Sequence, residues 1–383
     1  MPEATIVDAI RTPIGRAVKG SLKDVRADDL AAVPLVALQE RNPALDFSTV
    51  DDVLYGVAAG TGETGYNVAR TASLLAGLPV SVPGVTVNRF CASSLQTIRM
   101  AFHAIRAGEG DTYIAGGVEA VSRNPADGEF QPHPLLDGSE GSLVDVYVPM
   151  GITAENVATR YGVSRESQDA WAVESQSRAV RARDDGHFDV EITTVTCPDG
   201  TVVSRDDGPR PGTTMETLSQ LKPAFREGGT VTAGNACPLN DGAAATLVMS
   251  DKRAAELGLR PKVRIVASAV AAIEPEYMGV GPIPAVRALL AQTGMTINDI
   301  DIVEINEAFA AQIVPCMDEL GIPAEKLNPF GGAIALGHPF GMTGARIMTT
   351  LINGLEALDG EFGIESMCVA GGMGQAMLVQ RLS

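Results

Sequence analysis

The chain has 383 residues, 45% hydrophobic and 20% charged, with 41 glycines and a formal net charge of −18. That length exceeds one ordinary core, so two or three domains are expected. The acidity argues against nucleic acid and anionic membrane as partners, and any anionic ligand needs a local basic patch.

From the N-terminus, "MPEATIVDAIRTPIG" has an acid at Glu3 and no apolar core of signal-peptide length. "GVTVNRF" (84–90) reads as a buried strand. "SSLQTIRMAFHAIRAG" carries Leu95, Ile98, Ala101, Phe102 and Ile105 at helical spacing, with Gly108 as its stop. "DTYIAGGVEA" (111–120) reads as a strand running into a glycine turn. From about 122 to 234 the chain turns polar and rich in Pro and Gly, like a large insertion. It holds one clear helix, near 164–186, with Ser164 as N-cap. Beyond it, "INDIDIVEINEAFA", "KLNPFGGAIALG" and "MCVAGGMGQAMLV" repeat, in order, the earlier "STVDDVLYGVAAG", "TVNRFCASSLQ" and "YIAGGVEAV". Strands alternating with helices in two similar stretches predict an α/β fold of two related halves. No apolar run reaches the roughly 18 residues of a membrane helix. The closing "VQRLS" is not the usual peroxisomal address, so a cytoplasmic protein is expected.

The five cysteines are scattered and form no CxxC, which argues against a disulfide framework or a zinc site. Cys91 lies where a strand passes into a helix. A thiol there feels the helix dipole and unpaired N–H groups, which favour thiolate; the alternative is a small buried side chain. Cys368 should stand at the carboxyl end of a strand, exposed by the glycine turn that follows. Asn306 and Glu307 sit at another strand end, where an amide orients a water or caps a turn. His338, in "GGAIALGHPFGMTGAR", carries a general acid/base group on backbone crowded with glycine. No metal-ligand set, Walker loop or GxSxG elbow is present.

Taken together, "VNRFCASSLQ", "PMGITAENVA", "LKPAF", "TAGNACPLNDGAAA", "EINEAFAAQ", "NPFGGAIALGHPFGMTGAR" and "MCVAGGMG" resemble the thiolase family along nearly the whole chain. The resemblance implies a five-layered αβαβα core from two similar halves. Residues 1–121, completed by about 240–261, would form the first half and 262–383 the second. Residues 122–239 would form a loop domain binding coenzyme A. It implies acyl-CoA substrates, coenzyme A as co-substrate, no bound cofactor or metal, and a homo-oligomer, dimer or tetramer. A β-oxidation partner subunit is also compatible with it. By motif, Cys91 resembles the nucleophile, His338 its base and Cys368 the second acid/base. Asn306 resembles the residue that holds a water at the enolate oxygen. Arg210 matches a nucleotide-contacting arginine, with Arg205, Lys222 and Arg226 as a potential basic patch. Met150, Phe225, Ala233, Cys237 and Phe309 match positions along the pantetheine chain.

Several residues depart from the short-chain biosynthetic pattern. "CASS" and Pro149 favour a degradative 3-ketoacyl-CoA thiolase, an acetyl-CoA C-acyltransferase. An acetyl-CoA acetyltransferase using the same residues in reverse is the alternative. Cys237 replaces a serine, and Ala370 replaces a glycine where a positive φ would be strained. A decarboxylating condensing enzyme would lack the second cysteine. A non-catalytic lipid carrier would lose one of Cys91, His338 and Cys368, and all three are present.

Overall fold

The computed structural model describes residues 1–124 and 131–382. The first half opens with β1 (Ala4–Arg11), β2 (Gly15–Arg16), α1 (Ala27–Arg41) and β3 (Asp52–Gly56). It continues with α2 (Val68–Leu75), β4 (Gly84–Val87), α3 (Ser93–Ala107) and β5 (Thr112–Ala120). The insertion supplies α4 (Met150–Tyr161), α5 (Arg165–Asp184), β6 (Val195–Thr196), β7 (Val202–Val203) and α6 (Met215–Ser219). The chain then returns through β8 (Asn240–Ser250) and α7 (Asp251–Glu256). The second half follows as β9 (Val263–Ala272), α8 (Pro282–Thr293), β10 (Ile302–Ile305) and α9 (Ala310–Leu320). It closes with α10 (Ala333–Leu336), α11 (Thr343–Ala357), β11 (Phe362–Val369) and β12 (Met373–Arg381).

The main sheet runs β10-β11-β12-β9-β1-β8-β5-β3-β4, with β2 beside β8. The antiparallel pairing of β1 with β9, Thr5 opposite Arg264 and Ile6 opposite Val263, is its seam. Outward from the seam the two sides match: β1, β8, β5, β3 on one, β9, β12, β11, β10 on the other. On each side the outer pairs turn parallel, β5 with β3 and β11 with β10. The further pairing of β3 with β4 has its counterpart in a single parallel bridge, Val303 to Leu327. The three echoes in the sequence are thus a repeat of topology.

The helices α3 and α11 lie between the half-sheets, α1 and α2 cover the outside of the first, and α8 and α9 that of the second. Three apolar clusters fill these spaces: Ile98 with Ile347 and Leu351, Leu30 with Val53 and Leu247, and Leu289 with Ile305 and Leu378. The layer order is αβαβα. Because sheets cover it on both sides, α11 is buried from Thr343 to Leu355; a surface helix would show a polar stripe. As the spacing predicts, α3 ends at Gly108, which takes φ +76°.

Three local expectations change. The strand at 84 stops at Val87 and is half-buried, because β4 is the outermost strand and only β3 pairs with it. Gly116 and Gly117 make no turn, since β5 runs through them to Ala120. They are glycines for close approach: a Cβ on Gly117 would lie 2.1 Å from the Gly341 carbonyl oxygen. The insertion holds a second long helix, α4, besides α5. Ser164 caps α5 as expected, accepting from the Ser167 N–H at 3.0 Å. A buried ion group ties the insertion to the end of β1. Arg11 meets Glu191 at 2.7 Å and Asp206 at 2.8 Å.

Candidate active site

Phe90, Cys91 and Ala92 form one 3-10 turn between β4 and α3. As the sequence reading expects, Cys91 lies between the strand and the helix that begins at Ser93. Phe90 is held at φ +46°, unusual for an aromatic residue. The Ser93 hydroxyl locks the turn, donating to the Phe90 carbonyl at 2.6 Å and accepting from the Arg89 N–H at 2.9 Å. Cys91 is left partly exposed, and the Ala370 N–H is directed at its sulfur. Burial pushes the Cys91 thiol up to about 11, against the pull of that N–H. The resting sulfur is therefore a thiol.

Gly337 takes φ +113°, and a Cβ there would strike the Asn240 side chain at 2.7 Å. That glycine lets the next residue press onto β8, where the Asn240 Oδ1 accepts the His338 N–H at 2.9 Å. On the other side of the loop, the buried Glu119 carboxylate accepts N–H groups from Gly341, Ala58 and Ala59. The Thr343 hydroxyl donates to the Pro339 carbonyl at 2.7 Å, so its oxygen accepts from His338 Nδ1–H, also at 2.7 Å. This fixes the tautomer: Nε2 keeps its lone pair, and Asn306 Nδ2 donates to it at 3.3 Å. Burial first, then the Arg346 charge, press the imidazole down to about 3. His338 is thus neutral at physiological pH. A thiol near 11 and an imidazole near 3 form no resting ion pair; proton transfer must accompany attack on a substrate.

Asn306 follows β10, its N–H donating to the Ser366 carbonyl of β11 at 3.0 Å. Its Oδ1 is buried with no partner among the described residues, a place suited to a water. Glu307 faces away from this group. It accepts from Trp171 Nε1 at 3.0 Å, the Ser175 hydroxyl at 2.6 Å, Asn328 Nδ2 at 2.9 Å and the Ile334 N–H at 3.1 Å. Cys368 is not exposed by a turn: it lies within β11, opposite Gly374, fully buried. The turn comes later, at Gly371 and Gly372, both at φ +79°. Burial, then the neighbouring Cys91, raise the Cys368 thiol well above its ordinary value. Met278, Ala308, Phe309 and Ala236 are packed with it. Ala370 is not among the residues with positive φ, so alanine adds no strain there.

A cavity of about 260 Å³ is lined by Arg16, Arg210, Phe225, Ala233 and Cys237. Cys237 lies close enough to Cys91 for that thiol, after burial, to raise its own. Met150 and Phe309 are not on this wall. Phe309 meets the Phe225 ring edge-on at 6.0 Å, and Met150 packs in the cluster behind it. Arg205, Lys222 and Arg226 do not line the cavity either, and Arg226 instead donates to Asn156 Oδ1 at 2.6 Å. The arginine that joins Arg210 is Arg16, which the sequence reading missed. Its only local signal was its place just after "RTPIG", next to the first strand.

Two thiols, an imidazole and the amide paired with its Nε2 gather at the strand ends, beside a narrow cavity with arginines on its wall. Such a site defines an enzyme that transfers acyl groups through sulfur. Family models for the thiolase N-terminal domain and the thiolase C-terminal domain match residues 4–252 and 259–381. The β-ketoadipyl-CoA thiolase of Pseudomonas aeruginosa is 49% identical over 404 residues, covering 99% of both chains. The 3-ketoacyl-CoA thiolase of Cronobacter sakazakii is 47% identical over 390 residues, covering all of both. Among solved structures, an acetyl-CoA acetyltransferase of Bacillus anthracis superposes with a TM-score of 0.91 at 40% identity, covering 100% of this chain and 99% of that one. The chain belongs to the thiolase family: it is an acyltransferase with acyl-CoA substrates and coenzyme A as co-substrate.

Proposed function

We propose that the chain is a degradative 3-ketoacyl-CoA thiolase of the β-oxidation type, acting on an uncharged acyl chain. His338 Nε2 takes the Cys91 proton as the sulfur attacks the 3-keto carbon, and the Cys91 N–H contributes to holding the resulting oxyanion. Cleavage of the C2–C3 bond leaves the acyl group on Cys91 and an acetyl-CoA enolate. A water on Asn306 and the new imidazolium stabilise the enolate oxygen, and Cys368 delivers a proton to its carbon. Free coenzyme A then gives its thiol proton to Cys368 and attacks the acyl-Cys91 thioester. The departing Cys91 sulfur takes back the proton held on His338.

What supports an uncharged chain is the lining beyond the thiols. Cys368 is surrounded by apolar side chains. Val146 lies beside Gly371, and the described residues around it, 122–124 and 131–149, hold Arg123 as their one Lys or Arg against three Asp and Glu. Arg123 is already held by Glu63 at 2.6 Å. The names of several relatives, β-ketoadipyl-CoA thiolases, raise a carboxylate-tipped acyl chain as the second reading, and such a carboxylate would find no free cation there. Thiolysis of 3-ketooctanoyl-CoA, acetoacetyl-CoA and 3-ketoadipyl-CoA, followed by loss of enolate absorbance, decides between them. The straight eight-carbon chain is expected to give the highest kcat/KM. Preference for the adipyl substrate would overturn the reading, and activity confined to acetoacetyl-CoA would make the enzyme an acetyl-CoA acetyltransferase.

Residues 122–239 are proposed as the coenzyme A-binding loop domain, and the cytoplasm as the place of action. A dimer or tetramer is proposed as well. It is supported by the half-buried edge strand β4 and the exposed Tyr66, Leu75, Val80 and Phe90 nearby. Light scattering should return two or four times 39.9 kDa, and a monomer mass would refute it.

A further inference from the structure

Arg16 and Arg210 share the wall of the cavity that leads to Cys237. In a chain of net charge −18, many cations find carboxylates, as Arg11, Arg26, Arg41 and Arg165 do. Neither Arg16 nor Arg210 has a side-chain ion pair or hydrogen bond among the described residues. Instead they feel one another: burial, then the Arg16 charge, lower the Arg210 guanidinium. Two like charges facing one cavity oppose each other until an anion comes between them.

The backbone holds both in place. Gly15 and Arg16 pair with Asp241 and Asn240 of β8. The Asp207 carboxylate accepts the N–H groups of Arg16 and Ser21, each at 2.9 Å. The neighbouring Asp206 is spent on Arg11. Gln176 Oε1 accepts the Arg210 N–H at 2.8 Å. Both main chains are tied down while both guanidiniums stay open. Past Arg210 a second groove continues along Gln176, Thr213 and Arg181, leaving room for the rest of a long anionic ligand.

We propose that Arg16 closes with Arg210 on a phosphate of coenzyme A, which makes Arg16 a binding residue for the co-substrate. This rests on reading the cavity as the coenzyme A channel to Cys91. Coenzyme A presents the same chemistry twice, in its diphosphate and its 3′-phosphate, and paired guanidiniums suit either.

Thiolysis kinetics of the full chain and of Arg16→Ala, Arg16→Lys and Lys252→Ala test it, with coenzyme A, dephospho-coenzyme A and the phosphate-free thiol N-acetylcysteamine as acceptors. Arg16→Ala is expected to raise KM for coenzyme A about tenfold, with kcat within about twofold of the parent. Arg16→Lys should recover most of the loss. Lys252→Ala removes an exposed positive charge elsewhere and should change nothing. With N-acetylcysteamine as acceptor and an N-acetylcysteamine 3-ketoacyl thioester as donor, so that neither carries a phosphate, Arg16→Ala should match the parent. A penalty that vanishes with dephospho-coenzyme A assigns the grip to the 3′-phosphate, and one that persists assigns it to the diphosphate. An unchanged KM for coenzyme A, or an equal loss with N-acetylcysteamine, would overturn the proposal. Acylation of the parent by an N-acetylcysteamine 3-ketoacyl thioester is scored separately. Its absence would count against Cys91 chemistry, not against Arg16.

Discussion

Cys91→Ala is expected to lower thiolysis by roughly 10⁴-fold or more and to abolish the acyl adduct that intact-protein mass spectrometry should detect on the parent. In the proposed mechanism this sulfur carries the acyl chain while coenzyme A is exchanged, and His338 and Cys368 only move protons. The same arrangement sets the pH response. Because burial and Arg346 hold the imidazole near 3, no proton binds it as pH falls through the usual histidine range. For the parent, kcat/KM should therefore stay within about twofold between pH 6 and 8. A steep acid limb centred near 6.5, or full activity in Cys91→Ala, would break this account.

Glu307→Ala should cost about 3–5 kcal/mol of stability, read by denaturant unfolding. The carboxylate gathers four donors from α5, from Asn328 and from the first turn of α10. These donors are buried, and each unmade bond to a buried donor carries a penalty of about 1–3 kcal/mol. Packing around it is close, since a Cβ on Gly332 would lie 2.1 Å from the Glu307 carboxyl carbon. Glu307→Gln should lose less, because its amide oxygen still serves part of the set. The turn it braces leads directly to His338, so kcat should fall along with stability. An alanine variant as stable as the parent would show that the four donors find other partners.

Much of this architecture was legible in the chain. α3 was readable because its apolar residues follow helical spacing and Gly108 ends it. Cys91, Asn306, His338 and Cys368 sit in motifs specific enough to name. What escaped depended on contacts distant in sequence. Gly116 and Gly117 look like a turn until Gly341 is seen pressed against them. Arg16 belongs with Arg210 only because β2 pairs with β8. Met150 and Phe309 carry the right motif, but the cavity wall is formed by Phe225, against whose edge Phe309 packs, a contact that no linear pattern records. The burial of Cys368 follows from β11 continuing two residues further than its glycines imply.

The matched halves give the molecule two copies of one address. The segment leading into a central helix carries Cys91 ahead of α3 in the first half and His338 ahead of α11 in the second. The end of the corresponding strand carries Glu119 in β5, which braces loops, and Cys368 in β11, buried beside Cys91. The matched topology sets paired positions on either side of a shared helical layer, and each position carries a different residue with a separate task. Neither copy retains a whole reaction centre. Natural selection therefore sees the two as one inherited unit, in which a substitution in either half is judged by the chemistry of the other.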